Sequence, residues 1–221
     1  MSIEIIHFRK LLKILYSEPN QRISMLRADI RDEIARETGE SSSGGGDFHV
    51  PFWSDAKRHV FNTIDLYAAT EGRIESNPRR ARLYPVLRDG FLQWWNNRRR
   101  LTNEPFHEVD APHARYVLNG LGTIKVENML AVLDAGGEIH FIYPYFSEFP
   151  TLNQESSRVA LWLIGQAFPH QRLADIRILD VIRGQIYSIV QSPLQGDEQD
   201  ILSRRYRAAI NDWRRLRVEY Q

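Results

Sequence analysis

The stretch GEIHFIYPYFSEFP, residues 137–150, decides the fold. Its middle is a short continuous apolar run, the pattern of a buried strand. The strand ends in aromatic rings, Tyr143, Tyr145 and Phe146, followed by Phe149; at least two of the four are expected to fill the core, and the others to form a binding surface. Either catalytic carboxylates or a surface for a partner should stand at the mouth of such a strand.

Just upstream, Asp134-Ala135-Gly136-Gly137 is a hairpin signal. It predicts that residues 123–146 form two strands joined by that turn. Downstream, NQESSRVALWLIGQAF predicts a helix over 153–168, apolar enough to lie buried against the sheet. Residues 175–190 predict two more strands around Arg183-Gly184. A last helix over 198–219 turns Ile201, Tyr206, Ile210, Trp213 and Tyr220 inward among many arginines.

The first half is helical in pattern. Residues 3–16 carry Phe8, Leu11, Leu12 and Leu15 at helical spacing, and a second amphipathic helix spans 21–38. GESSSGGGD, 39–47, predicts a flexible loop. FHVPFW, 48–53, predicts an extended segment, with Ser54 capping a helix that runs to about Ala69. Asn77-Pro78 opens the next helix, in which Pro85 and Gly90 predict a kink or two shorter helices. The fold class is thus α+β. A helical region, 1–110, packs on a core, 111–221, that holds a small mixed sheet, one buried helix and a C-terminal helix; the two could equally form one domain.

Composition narrows the chemistry. The 221 residues include no cysteine, which removes disulfides, thiolate metal sites and cysteine nucleophiles. A net charge of +1 gives no overall attraction to nucleic acid, so only local clusters can supply it. Neither a leader nor a run long enough to span a membrane is legible, and the expected location is the cytoplasm. HEVDAPH, 107–113, lacks the His-Glu-x-x-His spacing that puts two imidazoles on one helical face, and it reads as a polar loop.

The order strand, glycine turn, strand, apolar helix opening with Gln154-Glu155, strand resembles the core of the restriction-endonuclease-like PD-(D/E)XK proteins over residues 115–190. That resemblance implies an acid on the first strand and an acid-x-Lys on the second, holding a divalent ion. Here the first strand offers Glu127-Asn128, and the second offers Tyr143-Pro144-Tyr145 in place of acid-x-Lys. The resemblance is therefore to a degenerate core. One expectation is a non-catalytic protein that binds a protein or nucleic-acid partner and needs no cofactor. The other is a Mg²⁺-dependent nuclease-like enzyme of a defence or toxin system, with relocated ligands at Glu127 and Glu155.

The candidate binding residues are aromatic and basic. Tyr143, Tyr145 and Phe146 form one group. Trp94 and Trp95 with Arg98, Arg99 and Arg100 form a second, and Trp213 with Arg214 a third. Arginine beside an aromatic ring can hold single-stranded nucleic acid through phosphate contact and stacking. Trp94, Trp95 and the 143–149 rings could also make a homodimer face.

Overall fold

The computed structural model describes residues 3–39, 48–99 and 101–220. The serine–glycine stretch at 40–47 and the candidate Arg100 lie outside the described residues.

The elements run in chain order. Strand β1 (Ile5–His7) feeds directly into α1 (Phe8–Tyr16) and α2 (Pro19–Glu37). Helices α3 (Val50–Val60), α4 (Leu66–Ser76) and α5 (Tyr84–Gln93) follow, and α5 ends in a π-helical turn, Trp94–Arg98. Strands β2 (His107–Glu108), β3 (Ala114–Leu118), β4 (Gly122–Val126), β5 (Leu130–Leu133) and β6 (Ile139–Tyr145) come next. Helix α6 (Gln154–Ala167), β7 (Ile176–Asp180), β8 (Gln185–Tyr187) and α7 (Glu198–Val218) complete the α+β fold.

The described residues form two sheets. The larger has the order β2-β5-β6-β7-β8, with β6 at its centre. The hairpins expected at Asp134–Gly137 and Arg183-Gly184 join β5 to β6 and β7 to β8. Strands β6 and β7 are parallel, and α6 is the crossover between them. The smaller sheet, β1-β4-β3, pairs β1 parallel to β4. Residues 123–146 therefore form three strands in two sheets, not two strands in one. The division falls at Asn128, whose φ of 65° is left-handed and ends the extended run. Asparagine tolerates that conformation better than most residues.

Both faces of the larger sheet are covered. Phe141, Tyr143 and Tyr145 point into one core with α1, α6 and α7, while Ile142 points into a second core with α3 and α5. This burial on both faces is why β6 reads as an uninterrupted apolar run.

The first 110 residues carry strands as well as helices. They contain β1 and β2, and the Tyr206 hydroxyl of α7 donates to the Ile3 carbonyl at 2.5 Å. Arg22 of α2 also pairs with Asp212 of α7 at 2.9 Å.

Proline placement corrects three further expectations. Pro19, Pro51, Pro78 and Pro85 each sit in the first turn of a helix, where the missing N–H is no loss. Residues 50–53 are therefore helical, and Ser54 lies inside α3 rather than capping it. Of the kink and the two shorter helices, the structure has the latter: a short turn at Pro78–Arg80 and then α5, which Pro85 opens. Gly90 serves close packing: a Cβ there would lie 2.1 Å from the Val181 carbonyl oxygen. The helix expected to reach Ala69 is interrupted, and Asp65 caps the separate α4 by accepting from the Ala68 amide at 2.8 Å. Among the described residues, no helix is long and apolar enough to cross a membrane.

Candidate functional site

A cleft of about 610 Å³ opens at the C-terminal end of β6, a size suited to a ligand of nucleotide dimensions. One wall is built by α1 and the start of α2. Helix α1 buries Phe8, Leu11, Leu12, Ile14 and Leu15, so its polar side chains gather on the remaining face. His7, Lys10 and Lys13 follow one another at a spacing of three residues and all line the cleft.

The opposite wall is the segment 145–149. Its floor is the Phe146 ring, stacked on His49 at 4.9 Å between centroids with the planes 6° apart. The Arg9 guanidinium lies 5.1 Å from the centre of the same ring. Phe149 stands at the rim, 67% exposed.

Hydrogen bonds hold this wall in place. The Tyr145 hydroxyl donates to the Pro150 carbonyl at 2.7 Å, and the Ser147 hydroxyl donates to the Phe149 carbonyl at 2.6 Å. Arg183 donates to the carbonyls of Ser147 at 3.2 Å and Glu148 at 2.7 Å. The same guanidinium pairs with Asp180 at 2.9 Å, a carboxylate with no exposure. Burial pushes the Asp180 carboxyl up, and Arg183 opposes that shift. Burial also raises the Tyr145 phenol, which therefore remains a hydrogen-bond donor at neutral pH.

The cations are not equally engaged. Lys10 pairs with the buried Asp29 of α2, whose carboxyl is raised by burial against the pull of that ammonium. Arg82 grips Glu148 through two bonds of 2.9 and 3.1 Å. This contact, with a smaller contribution from Lys13, holds the Glu148 carboxyl below the usual range. Lys13 is exposed and forms no salt bridge with a described residue. The cleft thus offers cations, an aromatic rim and small hydroxyls. A flat ring with an anionic group attached suits such a lining.

No family model, curated protein or solved structure significantly matches the chain.

Only part of the expected site meets here. Tyr145 and Phe146 line the cleft, but they are buried, 2% and 5% exposed. Tyr143 is buried against Phe8, with centroids 5.2 Å apart. Trp94 and Trp95 are buried in the second core, so neither offers a dimer face. Arg99 lies over the Trp95 ring at 4.1 Å and pairs with Glu104. Arg98 donates to the Gly184 carbonyl at 3.3 Å, away from the cleft. Trp213 is half-buried under Arg217, and Arg214 pairs with Glu4 at 3.5 Å. These arginine–tryptophan contacts are internal because a guanidinium stacked on indole seals the edge of a core.

The residues do not fit the magnesium site that the resemblance implies. Glu127 is bonded to His7 at 2.7 Å, and Glu155 to Arg205 at 2.8 Å. Among the described residues, no three His, Asp or Glu side chains converge as metal ligands would. Phe149 is the ring of the sequence reading that stands exposed at this cleft, whereas His7, Arg9, Lys10 and Lys13 escaped that reading. The available signal was the group of three cations, Arg9, Lys10 and Lys13, on a nine-residue helix with no acidic residue.

Proposed function

We propose that this protein is a non-catalytic binding protein that holds single-stranded nucleic acid in the cleft between α1 and the 145–149 segment. The observation that carries the reading is the pairing of Lys13, exposed and without a salt bridge to a described residue, with Phe149, exposed at the facing rim. A phosphate suits the ammonium, and a base suits the ring.

The resemblance to a degenerate nuclease-like core supports the same reading. The acid-x-Lys of that family would fall on β6, the strand at whose end the cleft opens. Tyr143-Pro144-Tyr145 occupies that place here, which favours retention of a strand over its cleavage. The protein or nucleic-acid alternative narrows to nucleic acid, since cations outnumber carboxylates along α1.

Fluorescence anisotropy with a labelled oligothymidylate tests the reading. The wild-type protein should bind, and its affinity should fall as salt rises. Lys13→Glu should weaken binding by about tenfold or more, the scale of one charge-assisted contact. Salt-independent binding, or binding unchanged by Lys13→Glu, would refute it. Preferential binding of an oligoglutamate probe would point instead to an acidic protein partner.

A further inference from the structure

The smaller sheet carries a second feature, on its outward face. Pairing places His7 of β1 beside Lys125 of β4, and Lys125 beside Arg115 of β3. Ile6, Ile124 and Tyr116, the neighbouring row, point the other way, into or against the core. Alternation along each strand therefore sends His7, Lys125 and Arg115 to the same outer side. The row spans three strands, about 10 Å at the usual strand separation.

One row further along, Ile5, Thr123 and Val117 face the same way. Ile5 and Val117 are 48% and 60% exposed. A basic row and an exposed aliphatic row thus run side by side across one sheet. The acidic groups nearby are engaged: Glu127 with His7, and Glu4 with Arg214. Lys125 and Arg115 form no salt bridge with a described residue.

His7 belongs both to this row and to the lining of the cleft. Lys125 and Arg115 therefore lie in the same row as a residue of the cleft wall that also carries Lys10 and Lys13. We infer that the outward face of the β1-β4-β3 sheet is a track for the sugar–phosphate backbone of a strand whose end lies in the cleft. The inference rests on the nucleic-acid reading of that cleft. Phosphates would follow the basic row, and the apolar faces of sugars or bases would lie on Ile5 and Val117. Charge complementarity selects this occupant. An uncharged apolar partner would have to desolvate Lys125 and Arg115 for nothing in return.

The test compares oligothymidylates of about 4 and about 16 nucleotides, the two ends of common single-strand site sizes. Each is titrated against the wild-type protein and against the double variant Arg115→Ala/Lys125→Ala across a range of salt. The wild type should bind the longer strand much more tightly. The double variant should lose most of that advantage while binding the short strand as before. Its salt slope for the longer strand should fall by about 1.4, that is about 0.7 for each phosphate contact removed. A structural role for the two side chains would leave that slope unmoved. Arg115→Glu alone, at an exposed position on an edge strand, provides a second reading should the double variant fold poorly; it should weaken long-strand binding selectively. An unchanged slope and an unchanged length preference would overturn the track and leave the cleft standing. Failure of the wild type to bind either strand would overturn both.

Discussion

His49 and Phe146 stack face to face, 4.9 Å apart and within 6° of parallel. His49 immediately precedes α3, and Phe146 immediately follows β6. The pair therefore ties the helical layer to the end of the central strand and forms the floor of the cleft. Phe52 and Trp53 pack their edges on the same ring at 6.5 and 5.8 Å. Phe146→Ala should cost about 3–5 kcal/mol, the usual range for deleting a buried phenyl ring. Urea unfolding measures it, and a loss below about 1 kcal/mol would mean that the ring is not a packing centre.

Two glycines within helices should respond oppositely to the same change. At Gly90 an added Cβ would lie 2.1 Å from the Val181 carbonyl and 2.5 Å from that of Ile182. Both are backbone atoms that cannot move without shifting the β7–β8 turn. Gly90→Ala should destabilise by about 1–3 kcal/mol or more. A Cβ at Gly72, in α4, would meet nothing within 4 Å. Gly72→Ala should stabilise by about 0.5–1 kcal/mol through helix propensity and loss of unfolded-state freedom. Melting temperatures of the two variants should move in opposite directions.

Arg158 and Glu198 form a buried pair, 6% and 1% exposed and 2.6 Å apart. Burial alone would raise the Glu198 carboxyl. The Gln195 amide, Arg158 and the Gly196 amide outweigh it and hold the carboxyl below its ordinary 4.5. A depressed carboxyl contributes stability that is present above pH 4.5 and lost as pH falls through the lower folded value. Arg158→Met strands the carboxylate and should cost about 3–5 kcal/mol at neutral pH. That cost should shrink as pH falls below 4.5, where a proton can replace the arginine. Unfolding curves of both proteins at neutral and acidic pH measure it. A cost independent of pH would show that Glu198 is not the group left uncompensated.

The glycine turns between strands are legible in the sequence, whereas the Ser54 cap and the extended segment before it are not borne out. The Asp134–Gly137 and Arg183-Gly184 turns join strands as read. What escaped depends on distant partners. Three residues, Ile5 to His7, become a strand because β4 is there to pair with them. Which of the four rings at 143–149 are buried is not legible locally, because the helices that cover both faces of β6 come from distant parts of the chain. The cleft itself joins His7, Lys13, His49 and Phe149 from four separate segments, and no spacing in the chain connects them.

The most direct measurement is ultraviolet cross-linking of a labelled oligothymidylate to the wild-type protein, followed by peptide mapping. If the cleft holds a strand against its aromatic rim, adducts should fall within residues 145–149, chiefly on Phe149, and should fade in Lys13→Glu. Adducts confined to α7 around Trp213, or none at all under conditions where binding is saturated, would contradict a nucleic-acid site in this cleft.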